Sequence, residues 1–136
     1  MNFQQLKPKI IQLAHANSEI ELLWLYGSYA QGSAHKNSDI DLAVIFKCWE
    51  KDPLERRLRP ELLALEWQQL LQIPENKLSL LDMGIAPIPL AMAVLKSNQL
   101  LVNKSAARQL QEQQRIMSQW EVDYLYHYQH KQQIYG

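Results

Sequence analysis

Residues 26–46 read YGSYAQGSAHKNSDIDLAVIF, and three features stand together in that stretch. A Gly-Ser pair, Gly27-Ser28, closes the apolar run ELLWLY of residues 21–26. Small and polar residues fill positions 27–38. Asp39 and Asp41 then flank Ile40 at the opening of IDLAVIF, residues 40–46. The two apolar runs read as buried strands, the second rich in β-branched and aromatic residues. Side chains two apart on a strand share a face, so Asp39 and Asp41 converge while Ile40 turns into the core.

That convergence dictates chemistry. Two close carboxylates repel unless positive charge lies between them. A divalent cation supplies it, and Mg²⁺ prefers hard oxygen ligands from one or two carboxylates together with substrate phosphates. Gly27 has no side chain, so a triphosphate can approach the backbone closely. Ser28 offers a hydroxyl and is expected to cap a short helix starting near Tyr29, whose free N–H groups attract phosphate oxygens. Phosphates at Gly27-Ser28 and metal at Asp39 and Asp41 describe nucleotidyl transfer. One metal activates the acceptor hydroxyl and a second, about 3.5–4 Å away, steadies the leaving pyrophosphate. A lone D-x-D or a lone Gly-Ser is a common turn or strand-end feature. The joint spacing, a strand, Gly-Ser, ten residues, then D-I-D opening an apolar strand, is what carries the reading.

Working outward, Phe3, Leu6, Ile10, Leu13 and Ala14 recur at helical spacing and predict a helix over 3–16. Residues 47–59 read as a charged connector carrying Pro53. Pro60 then sits in the first turn of a helix to about 72. Pro74-Glu75-Asn76 is a turn, 77–83 a third strand, 90–96 a short helix and 100–102 a short strand. A long helix follows from 105 to about 132, with Leu110, Met117, Trp120, Tyr124 and Tyr128 on a stripe read as core. Helices interleaved with a few strands make an α/β (α+β) fold, a small mixed sheet packed by helices, in one domain spanning 1–136.

Apolar residues make up 47% of the 136, enough for a packed core. Fourteen basic residues balance fourteen acidic ones, which argues against direct nucleic-acid binding. No segment reads as a signal peptide or a membrane span. The single cysteine, Cys48, points to a reducing, cytoplasmic setting and is read as a partly buried filler.

The stretch GSYAQGSAHKNSDIDLAVIF resembles the signature of the DNA polymerase β-like nucleotidyltransferase superfamily. In particular it resembles the minimal nucleotidyltransferases (MNT) encoded beside HEPN-domain ribonucleases as antitoxins. The likeness continues through LLDMGIAPIPLAMAVLKSNQLLVN, similar to that family's third strand, Ala-Pro turn, short helix and final strand. The resemblance implies ATP as substrate, Mg²⁺ as cofactor, Gly27 and Ser28 on the phosphates, and Asp39 and Asp41 on metal. It also implies a third carboxylate from the following strand, at one of two positions three apart. Here those positions hold Ser79 and Asp82, and Asp82 is taken as the third catalytic and metal-binding acid.

Ser33 and Gln31 are assigned a supporting place at the phosphates. His35 and Lys36 are read as solvated, and Arg56, Arg57 and Arg59 as an exposed helix face. Tyr126, His127 and His130 lie off the C-terminal stripe and offer a partner surface. By resemblance the acceptor is a tyrosine of a cognate HEPN toxin, silenced by AMPylation. Two alternatives stand beside this: an antitoxin that acts by binding alone, and a small-molecule nucleotidyltransferase.

Overall fold

The computed structural model describes residues 2–135, and side chains for residues 2–128. Four strands, β1 (Ile20–Tyr26), β2 (Ile40–Phe46), β3 (Leu78–Asp82) and β4 (Leu100–Asn103), form one mixed sheet in the order β3-β2-β1-β4. β1 pairs antiparallel with β2 and with β4, whereas β2 and β3 run parallel. Parallel neighbours need a long crossover, and helix α3 (Pro53–Leu71) makes it.

Alternation along the strands divides the interior into two layers. Leu23, Leu25, Ile40, Leu42 and Val44 face α1 (Phe3–Ala16) and α3, where Leu6, Ile10, Leu63 and Trp67 close the core. Leu22, Trp24, Ala43 and Ile45 face the other way, against Ala91 and Val94 of α4 (Ile88–Ser97) and Ile116 of α5 (Ala106–Tyr135). The α/β class and the strand assignments therefore hold.

Several expectations are corrected. The segment 47–59 is not a connector throughout, because α3 begins at Pro53. Asp52 caps it, its carboxylate accepting from the backbone N–H of Leu54 (2.9 Å) and Glu55 (3.0 Å), and Pro53 occupies the first turn, where a missing N–H costs nothing. Pro60 lies inside the helix, buried. Within the same helix Arg59 turns inward over the Phe46 ring, 3.9 Å from its centroid, so the arginine cluster is not wholly exposed.

The C-terminal stripe is also not core. Leu110, Met117, Tyr124 and Tyr128 are exposed, and α5 instead buries Glu112 and Ile116. Its rotation is set by polar anchors. Glu112 accepts from Arg108 (3.0 Å) and Arg115 (2.8 Å). Those arginines in turn donate to the carbonyls of Lys47 and Met83 at the strand ends. Cys48 is exposed rather than partly buried. His127 packs edge-on against Tyr126, and the side chain of His130 lies outside the described residues.

Candidate active site

The register of β1 against β2 sets Tyr26 directly opposite Asp41. The chain then turns at Gly27 into α2 (Gly27–Gln31). Gly27 has φ +73°, a left-handed conformation costly for residues with a Cβ. A Cβ there would also collide with Oδ2 of Asp41. Glycine is thus required twice, and the backbone of residue 27 lies directly against the Asp41 carboxylate. The sequence reading placed Ser28 as a helix cap. Instead α2 starts one residue earlier, with Tyr26 at the cap position and no side-chain cap bond. Ser28 therefore stands in the first turn beside uncapped N–H groups.

Asp41 shares the face of Ala43, on the α4 side of the sheet. Asp39 lies just before β2 and is exposed. Burial pushes the Asp41 carboxyl above its ordinary range, and the charge of Asp39 pushes it further. That second cause is the electrostatic trace of convergence. Tyr26 is raised too, by burial first and by the charge of Asp41 second. No Lys or Arg among the described residues forms an ion pair with Asp39 or Asp41.

The donor set fits a divalent cation: two hard carboxylates, mutually repelling, beside a backbone that a phosphate can approach. Among the described residues no group of three or more acid, His or Cys side chains gathers. A metal held here would complete its shell with phosphate oxygens and water. Beside the pair opens a cleft of about 640 Å³ lined by Tyr26, Gly27, Ala30, Gln31, Lys96 and Ser97.

Asp82 does not join this group. Parallel pairing aligns Asp41 with Ser79 and Val44 with Asp82. Asp82 therefore lies about 10 Å further along the sheet, and it shares Val44's face rather than Asp41's. Its carboxylate accepts from the N–H of Gly84 (2.9 Å) and stands 4.0 Å from Arg59. Burial raises its pKa nonetheless, helped by the charge of Glu112 and outweighing the lowering effect of Gly84, Arg59 and Arg115. The third-carboxylate assignment is corrected on these grounds, and the residue beside Asp41 is the exposed hydroxyl of Ser79. Ser33 stands at the other end of α2 from Gly27, its N–H donating to the carbonyl of Ser28 (3.0 Å). His35 and Lys36 are exposed.

Sequence reasoning missed two residues at this site. Tyr26 was read only as the end of a strand, although its adjacency to Gly27 was a usable signal. Lys77, the residue before β3, donates to the carbonyl of Ser38. It is 39 positions away in sequence, and nothing local announces it.

A glycine-backed acid pair at the mouth of a mixed sheet defines a nucleotidyltransferase-type site. Residues 8–107 match the family model "Polymerase beta, Nucleotidyltransferase", and the chain belongs to that family. It is also similar to the protein adenylyltransferase MntA of Shewanella oneidensis, 36% identical over 88 residues. That match covers 64% of this chain and 58% of MntA, so the chain spans less than two thirds of its curated relative.

Among solved structures, a toxin–antitoxin with AMP-PNP superposes with TM-score 0.71 at 24% identity, covering 96% of this chain and 98% of the other. An MNT antitoxin in complex with the tri-AMPylated HEPN toxin of Shewanella oneidensis gives 0.66 at 21% identity, over 98% and 100%. At these identities the superpositions establish the shared fold. No helix among the described residues is long and apolar enough to cross a membrane.

Proposed function

We propose that residues 1–136 form one Mg²⁺-dependent protein adenylyltransferase domain, which moves AMP from ATP to a tyrosine hydroxyl of a cognate HEPN ribonuclease toxin and so silences it. The observation that carries this reading is the Asp41 carboxylate seated against the Gly27 backbone, with Asp39 beside it. That contact sets two acids suited to a cation beside a backbone that a phosphate can approach. Asp39 and Asp41 would hold the metal. Gly27 and the N–H groups around Ser28 would face the triphosphate, with Ser33 at the far end of α2. Mg²⁺, when bound, neutralises the triphosphate and favours loss of the acceptor proton. The acceptor oxygen bonds to the α-phosphorus, the bond to the β-phosphate breaks, pyrophosphate leaves and the proton passes to solvent. The name of MntA and the HEPN complex of the structural neighbour support this acceptor class. The lone exposed thiol of Cys48 suits a reducing cytoplasm.

The test mixes this chain with a candidate HEPN-type toxin, ATP labelled at the α-phosphate, and Mg²⁺. Label is expected on the toxin and absent with the Asp39→Ala/Asp41→Ala double variant.

One observation favours a second reading, neutralisation by binding alone. Ser79, not an acid, neighbours Asp41 across the β2–β3 ladder, so that neighbour cannot take the acceptor proton as a carboxylate would. A toxin silenced without label, equally well by the double variant, supports this second reading and defeats the first.

A further inference from the structure

Asp39 is the less secured member of the acid pair. It precedes β2, which begins at Ile40, so no strand ladder fixes it, and its side chain is exposed. Yet the pair works only if both carboxylates face one way. Lys77 makes the contacts that bracket it. On one side its Nζ donates to the carbonyl oxygen of Ser38, the residue before Asp39, and reaches the carbonyl of Lys36 at 3.5 Å. On the other side its own carbonyl accepts from the N–H of Ile40 at 2.8 Å, the residue after Asp39.

The peptide group is planar. Holding the Ser38 oxygen therefore fixes the plane containing the Asp39 nitrogen and Cα, and holding the Ile40 N–H fixes the plane on the far side. The Asp39 side chain is left with little freedom besides its own χ angles.

Further contacts stiffen the bracket. The Tyr29 hydroxyl donates to the same Ser38 oxygen at 3.4 Å, and the Lys77 ammonium stands 5.9 Å from the Tyr29 ring centroid. Tyr29 packs on Phe3 of α1, ring centroids 4.5 Å apart. Ser38 is itself buried and closes its loop through its hydroxyl, which accepts from the N–H of His35 at 2.9 Å. Lys77 is half-buried and forms no ion pair with either acid.

From this geometry we infer that Lys77 is the positioning residue of the metal site, holding Asp39 in line with Asp41. The inference rests on the reading of Asp39 and Asp41 as cation ligands.

Two measurements test it on the full chain. Mn²⁺ is titrated in the presence of AMP-PNP and followed by water-proton relaxation, and backbone amide exchange is followed over residues 36–40. Lys77→Met keeps the apolar stem and removes the donor, whereas Lys77→Arg keeps a donor. Lys77→Met is expected to weaken Mn²⁺ binding about 10–100-fold, as loss of an outer-shell partner does, and to speed exchange at residues 36–40. Lys77→Arg is expected to retain most of both properties. Unchanged Mn²⁺ affinity and exchange in Lys77→Met overturn the inference. So does equal loss in both variants, which would make the residue a packing element only. Asp39→Ala serves as control. If it leaves Mn²⁺ binding intact, the metal-site reading fails, while the exchange data still decide whether Lys77 holds the loop.

Discussion

Asp41 and Asp82 stand on neighbouring strands, and burial raises both carboxyls above their ordinary range. The protein offsets part of that cost at one end of the sheet and leaves it open at the other. Asp82 receives the Gly84 N–H and the nearby guanidinium of Arg59, and Arg59 is itself tied to the Cys48 carbonyl at 3.0 Å. Asp41 faces another carboxylate, a phenol and the bare backbone of a glycine. A buried carboxylate whose charge is already answered holds structure together. One whose neighbours worsen its charge is suited to a cation that arrives from outside. The two acids are alike in type and in the direction of their shift, and only their partners separate a strut from a site.

The largest expected effect comes from exchanging their fates. Asp41→Ala should cut transfer about 10³-fold, the several kcal/mol a metal-held transition state is worth, without lowering stability. Asp82→Ala should do the reverse. It leaves the Gly84 N–H without its acceptor and removes the carboxylate near Arg59, and should cost about 1–3 kcal/mol in urea unfolding, while transfer per folded molecule is unchanged. Assaying turnover and urea midpoint on the same samples checks both, and a loss of turnover in fully folded Asp82→Ala would erase the contrast.

A smaller effect is expected at Gly27. Gly27→Ala forces an L-residue to φ +73° and drives a methyl into Asp41, so it should cost about 1–3 kcal/mol as well as transfer activity. Gly32, also left-handed but with open space around it, should lose stability to alanine while keeping activity, because no carboxylate waits there.

The smallest effect is a pH dependence. The native Asp41 carboxyl is raised above its unfolded value of about 3.9, so folding favours its protonated form. Its contribution is fully present below the unfolded value and is lost as pH rises through the native one. Asp41→Asn removes that loss. In metal-free buffer the variant should therefore have the higher urea midpoint at neutral pH, with the gap narrowing towards pH 4. Wild type falling below the variant at pH 4 but not at pH 7 would reverse the sign and break the argument.

Much of this was legible in the chain because it is local. The apolar runs at 21–26 and 40–46 announce strands, and two acids around one apolar residue announce a shared face. The start of α3 was also written locally, in Asp52-Pro53, but the charged residues after it and the more conspicuous Pro60 masked it. The long C-terminal helix was legible as a helix but not in its rotation. Leu110, Met117 and Tyr124 make the better apolar stripe, yet Arg108 and Arg115 dock on strand-end carbonyls and turn that stripe outward.

Sequence by itself determined the elements, the acid pair and the glycine beside it, since each depends on residues close enough for backbone geometry to relate them. Tertiary structure decided which strand neighbours which, and at what register. That placed Ser79 rather than Asp82 beside Asp41, set Tyr26 across from it and brought Lys77 to Ser38. A one-residue slip in register turns every side chain to the other face, and no local pattern fixes the pairing of strands joined through a nineteen-residue helix.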